Sequence, residues 1–231
     1  MHLIEEAILG YEKSLSKQID VVALRQKNPI AHKWKVTYQS LCLRETVAWR
    51  FVDIIDQSWF LHKNGKALGS RILLRSAIET LAMLIYLNQL TEQVISKKMP
   101  FSTFGESVLN LLLGCRDDST SQKAKNIITI LDKCEKKYAG IGKIYEWLSE
   151  SAHPNNEGMR IAYSSTNVET KVTTFSNRTT DLYSKMQEDG CMMAMHMFEE
   201  EYTIWGTLFE NLELWLVEND SELRESKAKP T

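Results

Sequence analysis

The sequence contains few of the residues that interrupt helices, with only 10 glycines and 4 prolines among 231 residues. A fold of many short strands and tight turns needs more of both, so an all-β architecture is not expected. No Cys-x-x-Cys pair occurs among the four widely separated cysteines, Cys42, Cys115, Cys134 and Cys191. This spacing excludes zinc-ribbon and dithiol redox motifs and is typical of reduced, buried thiols.

Several functional signatures are also missing. The sequence lacks a P-loop, a Gly-x-Gly-x-x-Gly turn, a Gly-x-Ser-x-Gly elbow and a His-Glu-x-x-His zinc motif. The net charge is -2 at pH 7, so no overall charge attracts the chain to nucleic acid or to an anionic membrane. The N-terminus has acidic residues where a signal peptide has basic ones. We therefore expect a cytoplasmic protein with no cofactor, no bound metal and no membrane partner.

The longest apolar stretch runs from Lys66 to Leu90 and is interrupted chiefly by Arg71, Arg75 and Glu79. Their spacing of four residues places these three side chains along one side of a helix. They leave an apolar run of about 15 residues, which is too short to span a membrane. Because the rest of the circumference is apolar, the sequence predicts an all-α, up-and-down helical bundle around a central hydrophobic helix at about 66–90.

Helical periodicity predicts further helices on both sides of this stretch. They cover about 3–24, 32–63, 102–114, 121–138, 141–153 and 180–218. We expect one helical domain over 1–231, with its core at about 32–218 and a polar tail at 220–231. The Ser-, Thr- and Asn-rich residues at about 156–178 predict either an irregular excursion or a small hairpin.

Other polar residues receive structural interpretations. The final helix is expected to face the core with apolar residues that include Leu182, Met186 and Met193, where methionine fills gaps in packing. The run Glu199–Glu201 is expected to be solvated. His32 lies near a predicted helix end and is expected at the surface.

The segment from Tyr145 to Asn156, with the sequence YEWLSESAHPNN, is the most unusual local feature. Ser149 and His153 are four residues apart and share a helix face, and Asn155 and Asn156 add side-chain amides. These groups could form a small polar pocket for ligand binding or catalysis. In the alternative interpretation they end the helix and bond its last carbonyl groups.

The stripe of Arg71, Arg75 and Glu79 also has two interpretations. It is either a buried ion-pair network that sets the register of the helix, or an anion-binding surface for phosphate. In the first interpretation Glu79 pairs with Arg75 or with a base on a neighbouring helix. In the second, Glu79 orients a base or a histidine, and His153 beside Glu79 would form a general acid–base pair.

Two strings together carry a family resemblance: Arg75-Ser-Ala-Ile-Glu79, and Trp147-Leu-Ser-Glu-Ser-Ala-His153-Pro-Asn155. They resemble bacterial domains of unknown function in which Arg-x3-Glu in an apolar helix precedes Leu-Ser-x3-His-Pro-Asn. Those domains look like relatives of the HEPN superfamily. The resemblance implies a helical bundle that often dimerises. Many superfamily members are metal-independent ribonucleases of toxin–antitoxin and phage-defence systems, in which an Arg binds phosphate and a His four to six residues later transfers a proton.

Only His153 corresponds to that catalytic motif, because no arginine occurs from Lys143 to Ala152. The resemblance therefore implies a non-catalytic binding or dimerisation module, with a second copy or another protein as its partner. The first alternative is a ribonuclease-like hydrolase of RNA with His153 and Glu79 as catalytic residues. Its phosphate- or ligand-binding residues would be Arg71, Arg75, Ser149, Asn155, Asn156 and Arg160. The second alternative is a small-molecule or metal-binding sensor.

Overall fold

The computed structural model describes residues 3–117 and 119–228, which form an all-α bundle with one small hairpin. The fold class predicted from the sequence is therefore confirmed. The helices are α1 (Leu3–Ser14), α2 (Val21–Lys27), α3 (Lys35–Lys63), α4 (Ala67–Ile95), α5 (Phe101–Leu113), α6 (Ile127–Cys134), α7 (Ile141–Ala152) and α8 (Thr179–Ala228). Shorter elements are a 3-10 turn at Ala31–Lys33, a π-helical segment at Asn156–Ile161, and the strands β1 (Ser164–Asn167) and β2 (Val172–Phe175).

The chain forms two compact units, and the long helices α3, α4 and α8 each contribute to both. The first unit contains the described residues of Met1–Ser14, Trp49–Ala82 and Leu131–Met197. The second unit contains the described residues of Leu15–Ala48, Met83–Ile130 and Phe198–Thr231. The expectation of a single domain over 1–231 stays a prediction.

Helix α4 corresponds to the central helix predicted at about 66–90, and it continues to Ile95. It begins just after Gly65, whose φ of +67° ends α3 in a left-handed turn that favours glycine. Fully buried side chains recur along α4, and they include Leu74 and Ile78 in the first unit. Burial on most sides explains why this stretch is apolar around nearly its whole circumference.

In the first unit, α8 approaches α4 closely at Gly190. A Cβ atom at this position would lie 2.8 Å from Leu74 Cδ2, closer than carbon atoms normally pack. One turn before, Gln187 is buried and donates hydrogen bonds to Ser70 Oγ at 2.7 Å and Ser58 Oγ at 3.1 Å. The predicted core residue Met186 is exposed instead, because the serines satisfy a polar residue on the buried face.

The second unit buries His32, which was expected at the surface. His32 Nε2 lies 2.5 Å from Glu213 Oε1, and His32 Nδ1 lies 3.2 Å from Thr37 Oγ1. Polar partners offset the cost of taking this ring out of water. Glu201 also departs from the expectation of solvation, since it is buried and accepts a hydrogen bond from Asn88 Nδ2 at 2.5 Å.

The predicted polar tail is helical as far as the structure describes it. Residues 220–228 belong to α8, while 229–231 lie outside the described residues. Asp220 forms an ion pair with Lys33 and accepts a hydrogen bond from Trp34 Nε1 at 3.0 Å. These contacts stabilise the helix beyond residue 218, where the apolar periodicity of the sequence ends.

The predicted helix at 3–24 is two helices. Helix α1 ends at Ser14, and Asp20 begins α2 by accepting hydrogen bonds from the backbone N–H groups of Val22 and Ala23. An aspartate at this position is a strong N-cap, so it starts a new helix instead of continuing the old one.

The excursion at 156–178 contains the hairpin that was one of its two predicted forms. Strands β1 and β2 are antiparallel and pair Ser164 with Phe175 and Asn167 with Val172. The turn follows Asn167, whose side chain accepts hydrogen bonds from the backbone N–H groups of Glu169 and Thr170. The turn spans the residues between Asn167 and Val172, the last pair of the two strands.

Candidate functional site

A group of charged and aromatic side chains lies in the first unit, where α7 packs beside α4. Arg71 of α4 contacts Trp147 and Ser151 of α7, and Arg75 contacts Tyr145. The partners on α7 run backward as α4 runs forward, so the two helices are antiparallel. Antiparallel packing brings the arginine stripe against the segment that precedes His153.

Arg71 is fully buried, with 0% of its surface exposed. Its Nε donates to Ser151 Oγ at 2.8 Å, and its Nη2 donates to the Trp147 carbonyl oxygen at 3.2 Å. Its guanidinium carbon lies 3.7 Å from the centre of the Trp147 ring and 4.1 Å from that of Tyr183. Two aromatic rings therefore stabilise a cation that water does not reach.

The charge of Arg71 is only loosely paired. Burial lowers the pKa of Arg71 to about 10, although the nearby Tyr183 and Glu157 oppose this shift. The closest approach of Glu157 is 4.0 Å, from its Oε1 to Arg71 Nη2. Arg71 Nη1 is buried and has no hydrogen-bond partner within the described chain. Burial, followed by the charge and hydrogen bond of Glu157, raises the pKa of Tyr183.

Glu157 reaches this group from the π-helical segment that follows α7. Asn155 begins the segment by accepting a hydrogen bond from the Gly158 backbone N–H at 2.9 Å. Gly158 is required there, because a Cβ atom would lie 2.1 Å from the His153 carbonyl oxygen. Ser151 Oγ lies 3.4 Å from Glu157 Oε1 and donates to it. This tight turn places the Glu157 carboxylate beside Arg71, Ser151 and Tyr183.

The second half of the predicted stripe forms a separate pair. Arg75 Nη2 lies 3.3 Å from Glu79 Oε1 and donates to the Tyr145 hydroxyl at 2.9 Å. Both charged side chains are about one-third exposed or less. The pairing of Glu79 with Arg75, which was one structural interpretation of the stripe, is therefore present.

The polar side chains at the end of α7 share no hydrogen bond with one another among the residues described, and the pocket expected for them stays a prediction. Ser149 Oγ donates to the Tyr145 carbonyl oxygen at 2.8 Å within its own helix. The His153 backbone N–H caps α7 at the Ser149 carbonyl, while its ring is exposed and makes no hydrogen bond among the residues described. Asn155 Nδ2 donates to Glu150 Oε2 at 2.5 Å. Asn156 and Arg160 are exposed.

His153 is not brought into contact with the Arg75–Glu79 pair. His153 caps α7 about two turns beyond Tyr145, the contact of Arg75, and this separation is about 12 Å along the helix axis. Over residues 3–117 and 119–228, no hydrogen bond or ion pair joins the His153 ring to Arg75 or Glu79. The catalytic roles given to His153 and Glu79 stay predictions.

The sequence did not single out the residues that surround Arg71. Trp147 and Ser151 lie in the unusual segment before His153, and their spacing of four places them on one helix face, which was a usable signal. Glu157 and Tyr183 come from later parts of the chain. No local pattern connects either residue to Arg71.

A cleft with a volume of about 490 Å³ also includes Trp147 in its wall. Its lining is mostly apolar and comes from α7 and α8: Lys143, Ile144, Trp147, Met186, Asp189, Gly190 and Met193. This cleft could accept a small apolar group.

No group of three or more His, Cys, Asp or Glu side chains in the described part of the chain is arranged to hold a metal ion. None of the helices described combines the length and the apolar character needed to cross a lipid bilayer. Neither the sequence nor the structure matches a known protein family, a curated protein or a solved structure.

Proposed function

We propose that this chain is a non-catalytic binding and dimerisation module of the HEPN-like type. The supporting observation is that both arginines of the stripe are engaged within the chain. Arg71 is fully buried, and Arg75 is paired with Glu79 and Tyr145. A ribonuclease needs a cation at the phosphate beside the group that transfers the proton. Neither arginine contacts His153 in the described chain, which favours binding over hydrolysis.

The partner of this module is a second copy of the chain. The HEPN-like resemblance implies dimerisation and a role in bacterial defence or toxin–antitoxin systems. Exposed apolar side chains on the hairpin support an interface, since Phe175 is 81% exposed and Val168 and Val172 are also exposed. A two-stranded hairpin is marginally stable alone and presents unpaired edges, so pairing with another chain would stabilise it.

The decisive test incubates purified protein with mixed RNA in the presence of a chelator, with wild type beside His153→Ala. We expect no cleavage by either protein at high protein concentration. Cleavage by wild type that is lost in His153→Ala would overturn the proposal.

A hydrolase using His153 with Arg75 and Glu79 is the alternative function. The exposure of the His153 ring favours it, because the imidazole is accessible to a substrate. In this case Arg75→Ala and Glu79→Ala would reduce cleavage together with His153→Ala. The mostly apolar cleft beside Trp147 favours the other alternative, a small-molecule sensor.

Dimerisation is tested by sedimentation equilibrium of wild type and Phe175→Ser. We expect wild type to be a dimer and Phe175→Ser to dissociate at least tenfold more readily. Phe60→Ser is a matched control, because Phe60 is also an exposed phenylalanine of the first unit but lies outside the hairpin. A monomeric wild type, or equal weakening by both variants, would remove the hairpin from the proposal.

A further inference from the structure

We infer that Arg71, Ser151 and Tyr183 form a carboxylate-binding site, and that Glu157 of the same chain occupies this site as a displaceable internal ligand. The inference rests on the proposed binding function, because it names the chemical group that such a module would bind. In this inference the loose Arg71–Glu157 pair is a ligand-binding site in its unoccupied state, with Glu157 in the place of the ligand.

Three donors converge on the Glu157 carboxylate. Ser151 Oγ lies 3.4 Å away and Arg71 Nη2 lies 4.0 Å away, while the Tyr183 hydroxyl is a hydrogen-bonding neighbour. Charge-assisted hydrogen bonds between Arg and carboxylate are normally about 2.7–2.9 Å long. The donors therefore surround a carboxylate position that Glu157 fills without close contact to the guanidinium group.

Arg71 also keeps donors that Glu157 does not use. A guanidinium group carries five N–H donors, and those of Nη1 are buried without a partner in residues 3–117 and 119–228. A buried donor without a partner carries a desolvation cost that an oxyanion in bidentate contact would remove. The unpaired Nη1 therefore shows that Glu157 and Ser151 do not use the full hydrogen-bonding capacity of Arg71.

The present occupant of the site defines which ligand fits. Glu157 presents its carboxylate to Arg71 Nη2 and Ser151 Oγ, so the site should accept a carboxylate, such as the side chain of an acidic residue. The rings of Trp147 and Tyr183 also pack against the guanidinium group, at 3.7 and 4.1 Å from its carbon. The space that Glu157 fills has the size of a carboxylate, so the larger tetrahedral phosphate should fit less well.

Glu157 differs from Arg71 in exposure, which makes displacement feasible. The Glu157 side chain is 26% exposed, whereas the Arg71 side chain is fully buried. Glu157 belongs to a π-helical segment, a rare conformation that is frequent at functional sites. An incoming carboxylate would replace one negative charge with another, so Arg71 would stay compensated while Glu157 turns to solvent.

The test measures the thermal stability of Glu157→Ala in sodium formate and in sodium chloride at equal ionic strength. Alanine removes the internal carboxylate and leaves space for formate. We expect the melting temperature to rise with formate in a saturable way, by about 4–7 °C at twenty times the dissociation constant. Wild type should show a smaller rise at higher formate concentrations, and phosphate should have a weaker effect than formate on the variant.

Glu79→Ala is the matched control, because it removes the carboxylate from the other arginine of the stripe, which is partly exposed. A formate response no larger in Glu157→Ala than in Glu79→Ala would overturn the inference. If Glu157→Ala does not fold in chloride, its refolding yield is compared in formate and chloride. Recovery in formate alone supports the site, and no recovery overturns it.

Different results would contradict the carboxylate site and the non-catalytic function. Absence of a formate response in a protein that does not cleave RNA would remove the carboxylate site and leave the binding module in place. RNA cleavage that depends on His153 would instead remove the non-catalytic function, whatever the response to formate.

Discussion

A buried charged cluster around Arg71 in the first unit and one around His32 in the second differ in how completely their charges are paired. In the second unit, His32 Nε2 lies 2.5 Å from Glu213 Oε1. In the first unit, the nearest carboxylate oxygen lies 4.0 Å from Arg71, and Arg71 Nη1 has no partner among the described residues. A complete network specifies structure, whereas a buried cation with an unpaired donor requires an explanation, for which we propose a carboxylate ligand.

The hydrogen-bond directions explain why the His32 cluster is complete. Thr37 Oγ1 donates to the Trp34 carbonyl oxygen at 2.9 Å, so it can only accept from His32 Nδ1. The carboxylate of Glu213 accepts from Nε2, which leaves no ring nitrogen unused. Both ring nitrogens of His32 are therefore engaged within the chain, and none remains for an external ligand.

The largest expected effect is on stability and comes from Arg71→Ala. The variant removes a fully buried side chain that packs against two aromatic rings, so the free energy of unfolding should fall by about 3 kcal/mol. Arg75→Ala removes a partly exposed pair and should cost less than about 1 kcal/mol. Urea unfolding followed by circular dichroism measures both. Similar losses would show that burial does not distinguish the two arginines.

A direct comparison of the two clusters uses Glu213→Gln and Glu157→Gln. Both changes keep the shape of the side chain and remove its charge. Glu213→Gln should lower the free energy of unfolding by about 2 kcal/mol, since it weakens a short bond to a buried ring. Glu157→Gln should lower it by less than about 1 kcal/mol. Equal losses in urea unfolding would mean that the Arg71–Glu157 pair is as tight as the His32–Glu213 pair.

Local rules predicted the elements of the site but not its partners. The apolar periodicity of α4 and the spacing of Arg75 and Glu79 follow from short-range geometry, and both are present. Their spacing in the sequence does not predict that Arg71 is fully buried while Arg75 is partly exposed. Only the packing of α7 and α8 beside Arg71 buries it, and Tyr183 of α8 is remote in the sequence.

The same limit explains the error at His32. Histidine is intermediate in its tendency to be buried, and the partner that allows its burial here, Glu213, is 181 residues away. Helix α8 adds a further lesson, since its buried face carries Gln187 where the sequence favoured Met186. Apolar character predicted that α8 is amphipathic, but it did not predict a buried face that includes hydrogen-bonded polar residues.

Replacing one α8 glycine in each unit by alanine compares how closely α8 is packed there. The expected changes in stability are smaller than that of Arg71→Ala. Gly190→Ala should lower the free energy of unfolding by about 1–2 kcal/mol, because its Cβ would lie 2.8 Å from Leu74 Cδ2. Gly206→Ala, in the second unit, meets no atom within 4 Å and should raise it by about 0.5–1 kcal/mol through helix propensity. Urea unfolding should give shifts of opposite sign. A stabilising Gly190→Ala would show that Leu74 moves aside freely.

The last comparison uses chemical labelling of one cysteine in each unit and needs no substitution. Cys191 lies in the first unit and Cys115 in the second. Burial raises the pKa of Cys191 to about 12, despite hydrogen bonds from Ser58 and Gln187, so its thiol stays protonated at neutral pH. Hydrogen bonds from Ser119 and Thr120 lower the pKa of Cys115, so its thiolate fraction rises at a lower pH than that of an ordinary thiol.

Iodoacetamide labelling of the native protein at pH 8, read by peptide mass spectrometry, should therefore modify Cys115 well before Cys191. Cys115→Ser should remove the rapid phase, and urea should expose Cys191 to the reagent. Rapid labelling of Cys191 in the native protein would mean that the buried face of α8 beside Ser58 and Ser70 opens readily. In that case the contrast between the units would lie in their dynamics as well as in how completely their charges are paired.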